Sequence, residues 1–281
     1  MGTLLLMILL TVLYVFLIAP GRKPKEKSAD FLGLSYAHRG LHTRDQAIPE
    51  NSLSAFIKAA SEGYAIELDV QLTSDGVPVV FHDESLKRMT GDRRYLRDLT
   101  LEKIKQLHLG ETMDEIPTLF EVLTAVHGRV PILVELKPLK NKKVLCESVL
   151  REFQNYDGLW CVESFDPTII GWFRKHAPRV VRGILTMPRL EYREKVKWPY
   201  PFILSNVLTN CIARPHFIAH GKGPQSLSVR MSYFLGAAPF VWVVTDEDDS
   251  SWYMYRNLSV IFEHYRPKPR FRRRKGEKAE D

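Results

Sequence analysis

Apolar runs of strand length alternate with amphipathic stretches of helix length along most of this chain, and nowhere do strands alone follow one another in a long series. Parallel strands need a crossover segment between them, whereas hairpin sheets do not, so the alternation points to parallel α/β architecture. The strand-length runs are Leu34–Ala37, Tyr64–Val70, Val77–Phe81, Val130–Leu136, Leu159–Val162, Val180–Leu185, His216–Ala219, Phe240–Val244 and Val260–Phe262. The helix-length stretches include Ser52–Glu62, Leu101–Leu107, Thr118–His127, Lys142–Gln154, Pro167–His176, Gln225–Leu235 and Glu247–Arg256. Seven or eight strand–helix units in about 240 residues match a (β/α)8 barrel, which typically takes ~250. Periodicity alone leaves a doubly wound open sheet as the alternative.

The ends of the chain differ from this middle. From Thr3 to Ala19 run 17 uncharged, mostly apolar residues, at the short end of the ~17–25 that span a bilayer. The run reads as a single transmembrane helix, with a cleaved signal peptide as the alternative; a signal would want positive charge ahead of it, where this chain has only its α-amino group. Arg22, Lys23, Lys25 and Lys27 lie just beyond, and the positive-inside rule then predicts a single-pass cell-membrane protein with its body in the cytoplasm. Of the formal net charge of +7, residues 266–281 carry +5 and residues 22–27 carry +3, leaving about −1 for residues 28–265. Charge confined to the ends argues against a nucleic-acid groove and suggests contact with an anionic lipid surface, a solvated tail being the plainer reading. Cys146, Cys161 and Cys211 are odd in number and widely spaced, so reduced thiols are expected rather than a disulfide framework or a zinc knuckle.

Within Ala65 to Leu72 the even positions are all apolar, while 67, 69 and 71 are Glu, Asp and Gln. Period two puts Glu67 and Asp69 on one face of a strand, either the wet face of an antiparallel edge or the functional face of a barrel. Val130 to Lys137 repeats the theme, an apolar run that reaches Glu135 and then Lys137. Barrel sites sit at strand C-terminal ends. Three carboxylates converging there need a cation, and all-oxygen donors suit Ca²⁺ or Mg²⁺, so Glu67, Asp69 and Glu135 are candidate metal ligands. His38 and Arg39 end the first strand, and His82 ends the run Val79–Phe81. Two imidazoles at strand ends offer the proton acceptor and proton donor that displacement at phosphorus needs. Arg39 and Lys137 offer a fork and a point charge to phosphate, the competing reading being internal ion pairs with the carboxylates. The other seven histidines, among them His108, His127 and His176, read as structural.

These residues resemble the glycerophosphodiester phosphodiesterase family over most of the body. The likeness rests on His38-Arg39-Gly40, Pro49-Glu50-Asn51-Ser52, the segment Glu67 to Gly76, Val79 to Asp83, Asp98 to Thr100, Ile116 to Leu119, and Val134 to Lys137. It implies a TIM barrel in residues 28–265 with a small insertion at about 83–115, preceded here by the anchor and linker at 1–27 and followed by the basic tail at 266–281. It implies one divalent metal ion at Glu67, Asp69 and Glu135, acid/base roles for His38 and His82, and phosphate contacts from Arg39 and Lys137. The chain departs from the family late: Trp242 is followed by Val243, Val244 and Thr245 where a W-T-x-N-like run is usual, and Glu263 stands near the usual I-x-T-D acid. Trp242 is therefore a candidate wall of the substrate pocket or a packing residue.

The function so implied is metal-dependent hydrolysis of glycerophosphodiesters to an alcohol and sn-glycerol 3-phosphate in phospholipid and glycerol metabolism, with a cyclic phosphate formed on the way or direct attack by water. A lysophospholipase D acting on lysophospholipids with the same core is the alternative, to be separated by an apolar channel leading to the metal. A non-catalytic barrel that binds lipid headgroups is a third reading.

Overall fold

The computed structural model describes residues 1–22, 28–138, 140–245, 253, 256 and 258–271. Among the described residues nine strands make one sheet: β1 (Ser35–Ala37), β2 (Ala65–Leu72), β3 (Pro78–Val80), β4 (Ile132–Leu136), β5 (Trp160–Ser164), β6 (Val181–Thr186), β7 (Phe217–Gly221), β8 (Ala238–Val244) and β9 (Ser259–Phe262). Parallel pairing runs from β2 through β4 to β9, and β1 pairs in parallel with both β9 and β2. Eight parallel strands therefore close a barrel, and the open-sheet alternative is excluded. The described α-helices include α1 (Gly2–Ile18), α2 (Leu53–Ser61), α3 (Lys87–Thr90), α4 (Leu101–Ile104), α5 (Leu119–Val126), α6 (Lys142–Glu152), α7 (Pro167–His176), α8 (Arg189–Arg193), α9 (Tyr200–Ser205), α10 (Asn210–Ala213) and α11 (Leu227–Phe234).

Alternation within each strand sorts the core into two layers. Ile66, Leu68, Val70, Ile132, Val134 and Val162 pack outward against the helices. Ala65, Leu133, Cys161, Phe217, Phe240 and Ile261 fill the barrel interior. Gly183 is a glycine of necessity: a Cβ there would sit 2.0 Å from the Phe217 ring, which stacks on Phe240 at 4.2 Å. Sequence-local chemistry starts the outer helices, with Ser52 Oγ accepting from the Ala55 N–H, a Thr118/Glu121 capping box on α5 and Asp166 with Pro167 opening α7.

β3 is not a barrel strand. It runs antiparallel to β2, with Val70 opposite Val80, and begins an excursion whose apolar residues, including Val79, Phe81, Met89, Leu96, Ile104 and Ile116, form a core of their own. Three short helices, α8 to α10, occupy the connection from β6 to β7. The sequence predicts no element there, because Pro188, Pro199, Pro201 and Pro215 cut the stretch below the length at which helical periodicity shows.

The expected membrane-spanning helix is corrected by the structure. No described helix is long and apolar enough to cross a membrane. The 17 residues of α1 rise about 25 Å against a hydrocarbon core of ~30 Å. Its last turn is tied to the barrel as well. Ile18 is buried, its carbonyl accepts from Asn210 Nδ2 and Ser232 Oγ at 2.9 Å each, and Tyr14 meets Ser228 at 2.8 Å. The single-pass assignment, and the cytoplasmic placement that depended on it, fall with that helix. Lys23, Lys25 and Lys27, the expected helix Glu247–Arg256 apart from residues 253 and 256, and the tail from residue 272 onward lie outside the described residues. The three cysteines are unpaired, Cys146 and Cys161 being buried.

Candidate active site

Parallel pairing sets the carboxylates side by side. Asp69 on β2 is the register partner of Glu135 on β4, and Glu135 that of Glu163 on β5. Ala65, Leu133 and Cys161 fill the interior one layer below, so the period-two argument sends Glu67, Asp69, Glu135 and Glu163 inward above them. β2 is buried on both faces, which removes the reading of Glu67 and Asp69 as a wet edge. Single oxygens of Glu67, Asp69 and Glu135 lie within 4.8 Å of one another, and the three residues are only 2%, 0% and 7% exposed. Burial, then the neighbouring carboxylates, push Glu67 well above the ordinary range. Burial also raises Glu135, against the pull of Lys137. Asp69 is held well below its ordinary value because Lys137 and Arg39 outweigh its burial. Three hard oxygen donors with mutual repulsion and little water fit one divalent cation such as Ca²⁺ or Mg²⁺.

Two cations border this cluster. Lys137 Nζ lies 2.7 Å from Asp69 Oδ1 and 2.8 Å from Glu135 Oε1. Arg39 Nη1 donates to Glu50 Oε1 at 2.7 Å, and its Nε is 3.4 Å from Asp69 Oδ2. Arg39 adopts φ +53°, a conformation that costs a non-glycine residue energy and is seen where the surroundings impose it. Here its N–H donates to Glu67 Oε2 at 3.0 Å and its carbonyl accepts from the Asn51 N–H at 2.9 Å. The next residue, Gly40, has φ +81°, and a Cβ there would meet the Ala55 Cβ at 2.8 Å. The Pro49–Ser52 segment closes the arrangement, since Asn51 Nδ2 donates to Asp69 Oδ2 at 2.9 Å while Glu50 also receives Arg88 through two bonds of 2.7 and 2.8 Å.

Both candidate histidines have a carboxylate at Nδ1. His38 Nδ1 is 3.2 Å from Glu263 Oε2, and His82 Nδ1 is 2.6 Å from Asp83 Oδ1. A ring whose Nδ1–H is held by a carboxylate keeps Nε2 for the reacting partner. Burial lowers the His38 pKa although Glu263 works against it, so the ring is neutral near pH 7. His82 reaches the site from the excursion, where Gln71 Nε2 donates to the carbonyls of Phe81 and Asp83 on either side of it, both at 2.8 Å. A cavity of about 160 Å³ is lined by His38, Arg39, Glu67, His82, Glu135 and Lys137, together with Glu163, Phe165 and Trp242. All of the candidate residues except Asp69, which is buried beneath it, therefore border one space.

The sequence model of the glycerophosphoryl diester phosphodiesterase family matches residues 38–262. The chain belongs to that family. Among relatives of this phosphodiesterase family, the glycerophosphodiester phosphodiesterase of Caldanaerobacter subterraneus subsp. tengcongensis is 36% identical over 166 residues, 54% of this chain and 66% of that protein. Glycerophosphodiester phosphodiesterase 1 of Mus musculus is 31% identical over 177 residues, 59% of this chain and 51% of the relative. The chain thus spans between half and two thirds of the length of these relatives. A solved Oleispira antarctica phosphodiesterase that holds its product sn-glycerol-3-phosphate shares the fold at a TM-score of 0.68 and 22% identity, covering 83% of this chain and 94% of that one. The Thermotoga maritima glycerophosphodiester phosphodiesterase matches at a TM-score of 0.60 and 25% identity, covering 82% and 93%.

Several residues of the site carry no clear signal in the sequence. Glu163 is buried, lines the cavity and has no hydrogen-bond partner for Oε2; burial and then the charges of Glu67 and Glu135 push it well above the carboxylate range. A faint signal exists, as Cys161 to Ser164 ends an apolar strand on a carboxylate just as β4 does. Glu263, noted only as a departure, backs His38 and also contacts His42 Nε2 at 3.3 Å and His264 Nε2 at 2.9 Å. His42 and His264 thus stand behind the site around Glu263, whereas His127 caps α5 in a left-handed conformation. Trp242 lines the cavity and packs edge-on to Phe165, while its Nε1 donates to the Ala219 carbonyl at 2.9 Å.

Proposed function

We propose that this chain is a metal-dependent phosphodiesterase that hydrolyses glycerophosphodiesters to an alcohol and sn-glycerol 3-phosphate, in the turnover of phospholipid-derived glycerol compounds. The observation that carries this reading is the convergence, on one cavity, of three clustered carboxylates, two cations and two histidines with carboxylates at Nδ1. Glu67, Asp69 and Glu135 would hold the cation, which supplies positive charge to a non-bridging phosphate oxygen as negative charge builds there. Arg39 and Lys137 line the same cavity and would meet the other phosphate oxygens. Their contacts with Glu50, Asp69 and Glu135 keep them in place beforehand, so the ion-pair and phosphate-binding readings are compatible. Burial keeps His38 neutral, and its Nε2 is able to take the proton of the attacking hydroxyl, from water or from the substrate's glycerol. His82, paired with Asp83, is the second proton carrier. The phosphorus–oxygen bond to the departing alcohol breaks as a new one forms to the attacking oxygen, and the alkoxide leaves with the proton that the other imidazole supplies.

The test is a product assay of the full chain, with and without added divalent metal, on a panel of glycerophosphodiesters. Metal-dependent release of sn-glycerol 3-phosphate is expected. Metal binding without turnover of any member would favour the headgroup-binding barrel instead.

A further inference from the structure

Among the described residues a second group of donor side chains comes together one imidazole away from the acidic cluster. β1 and β9 pair in register, so the turns that follow them leave the barrel side by side, His42 on one and Glu263 with His264 on the other. Single atoms of these three side chains lie within 4.8 Å of one another. His42 Nε2 is 3.3 Å and His264 Nε2 2.9 Å from the same oxygen, Glu263 Oε1. His38 divides this group from the acidic one. Its Nε2 faces Glu67 Oε2 at 3.9 Å, and its Nδ1 faces Glu263 Oε2 at 3.2 Å.

Ordinary hydrogen bonding leaves His42 unaccounted for. Its side chain is 2% exposed, and its Nδ1 lies 3.4 Å from the Thr43 carbonyl, an oxygen that can only accept. Nδ1 therefore carries the proton of the neutral ring, and Nε2 turns a lone pair toward a carboxylate oxygen. That buried Nε2 makes no hydrogen bond, and facing lone pairs repel unless a cation lies between them. A backbone carbonyl at the other nitrogen is also the common setting of a metal-binding imidazole. Donors held at about 2.0–2.1 Å around a tetrahedral ion stand about 3.3 Å apart, close to the separations found here. Glu263 and His264 are each about one-fifth exposed, which leaves a side open to water for the fourth position.

We propose that His42, Glu263 and His264 bind a second divalent ion, of the imidazole-preferring first-row class that includes Zn²⁺. The oxygen-only cluster of Glu67, Asp69 and Glu135 suits hard ions instead, so the two sites take different metals. Glu263 gives one oxygen to the ion and keeps the other for His38 Nδ1, which sets the second ion one carboxylate away from His38.

The site is tested by titrating Zn²⁺ into the full chain by calorimetry at two excess concentrations of Mg²⁺, which fills the acidic cluster, and by recording X-ray absorption at the zinc edge on the loaded protein. Zn²⁺ is expected to bind with the same affinity at both Mg²⁺ concentrations, in a shell with two imidazole nitrogens at about 2.0–2.1 Å. His42→Ala and His264→Ala should each weaken Zn²⁺ binding about tenfold or more, the lower end of what even outer-shell losses cost, while Glu67→Gln leaves it unchanged. An oxygen-only shell, competition by Mg²⁺, or undiminished affinity in either histidine variant would overturn the site. The edge spectrum is taken on the unaltered protein, so it decides the matter even where a variant fails to fold.

Discussion

Asp69 and Glu135 stand directly opposite each other on neighbouring parallel strands, and a single ammonium group, Lys137 Nζ, lies within 2.8 Å of both carboxylates. Closely paired acids of this kind do not both ionise without nearby positive charge. Lys137 supplies part of it, and its own pKa is raised by Asp69 and Glu135 in spite of burial. What remains uncompensated is the repulsion that includes Glu67.

A metal ion should relieve that repulsion. Chelator treatment is expected to abolish turnover, with recovery on adding Ca²⁺ or Mg²⁺. Glu67→Gln, Asp69→Asn and Glu135→Gln should each weaken metal binding about tenfold or more, an expectation scaled to the 10–100-fold typical even of outer-shell losses. Titration calorimetry of metal into each variant measures this independently of activity, and full affinity in all three would rule the site out.

Loss of a positioned acid or base typically costs ~10²–10⁴ in rate. His38→Ala and His82→Ala are expected to lower kcat within that range with little change in thermal midpoint, whereas His176→Ala, stacked on Trp172, should leave kcat near wild type. The pH profile adds a sign. Burial lowers the His38 pKa, so activity that needs its neutral form should rise with pH along a limb below the ordinary ~6.5. An acid limb above that value would exclude His38 as the base.

Arg39→Lys keeps a charge but loses the fork that joins Glu50 and faces Asp69. The expected outcome is a fall of about tenfold or more in kcat/KM, the scale of a lost charge-assisted hydrogen bond, with metal affinity unchanged. Lost metal affinity with unaltered kcat/KM at saturating metal would assign Arg39 to the carboxylates alone.

Arg88 ties Glu50 to Asp83. Burial would raise both carboxyls, but hydrogen bonds from Arg88 and the charge of Arg39 hold Glu50 below its ordinary value, and bonds from His82 and Arg88 do the same for Asp83. A depressed carboxyl contributes stability above its unfolded pKa of ~4 and loses it as pH falls through the folded value. Arg88→Gln should therefore lower the melting temperature by a few degrees at pH 7, and the gap from wild type should narrow as pH falls from about 5 to 3. A gap independent of pH would show that the link is not electrostatic.

The barrel was legible because each strand alternates: the same period that sends Ile66 and Leu68 to the helices sends Glu67 and Asp69 inside. The site was legible wherever its residues lie close together in sequence, as in 67–69 and 135–137. Glu263 behind His38 was not, because residues 225 positions apart meet only when β9 pairs with β1. Glu163 lies one residue beyond the apolar run that ends at Val162, so hydrophobicity alone stops short of it. The apolar run at the start misled for a different reason. Composition reports that α1 avoids charge but not that Asn210 and Ser232 have already claimed the carbonyl at its end.

The two imidazoles stand on different foundations. His38 follows a strand of the closed barrel, while His82 follows β3, which pairs with the barrel only through β2 and packs on the separate core of Val79, Phe81, Leu86 and Ile116. Small cores release their amide protons by local opening long before a whole domain unfolds. If the excursion opens in that way, His82 moves away from the cavity while Glu67, Asp69 and Glu135 stay on the barrel strands, so on the proposed reading the molecule would lose one proton carrier and keep its cation site without unfolding.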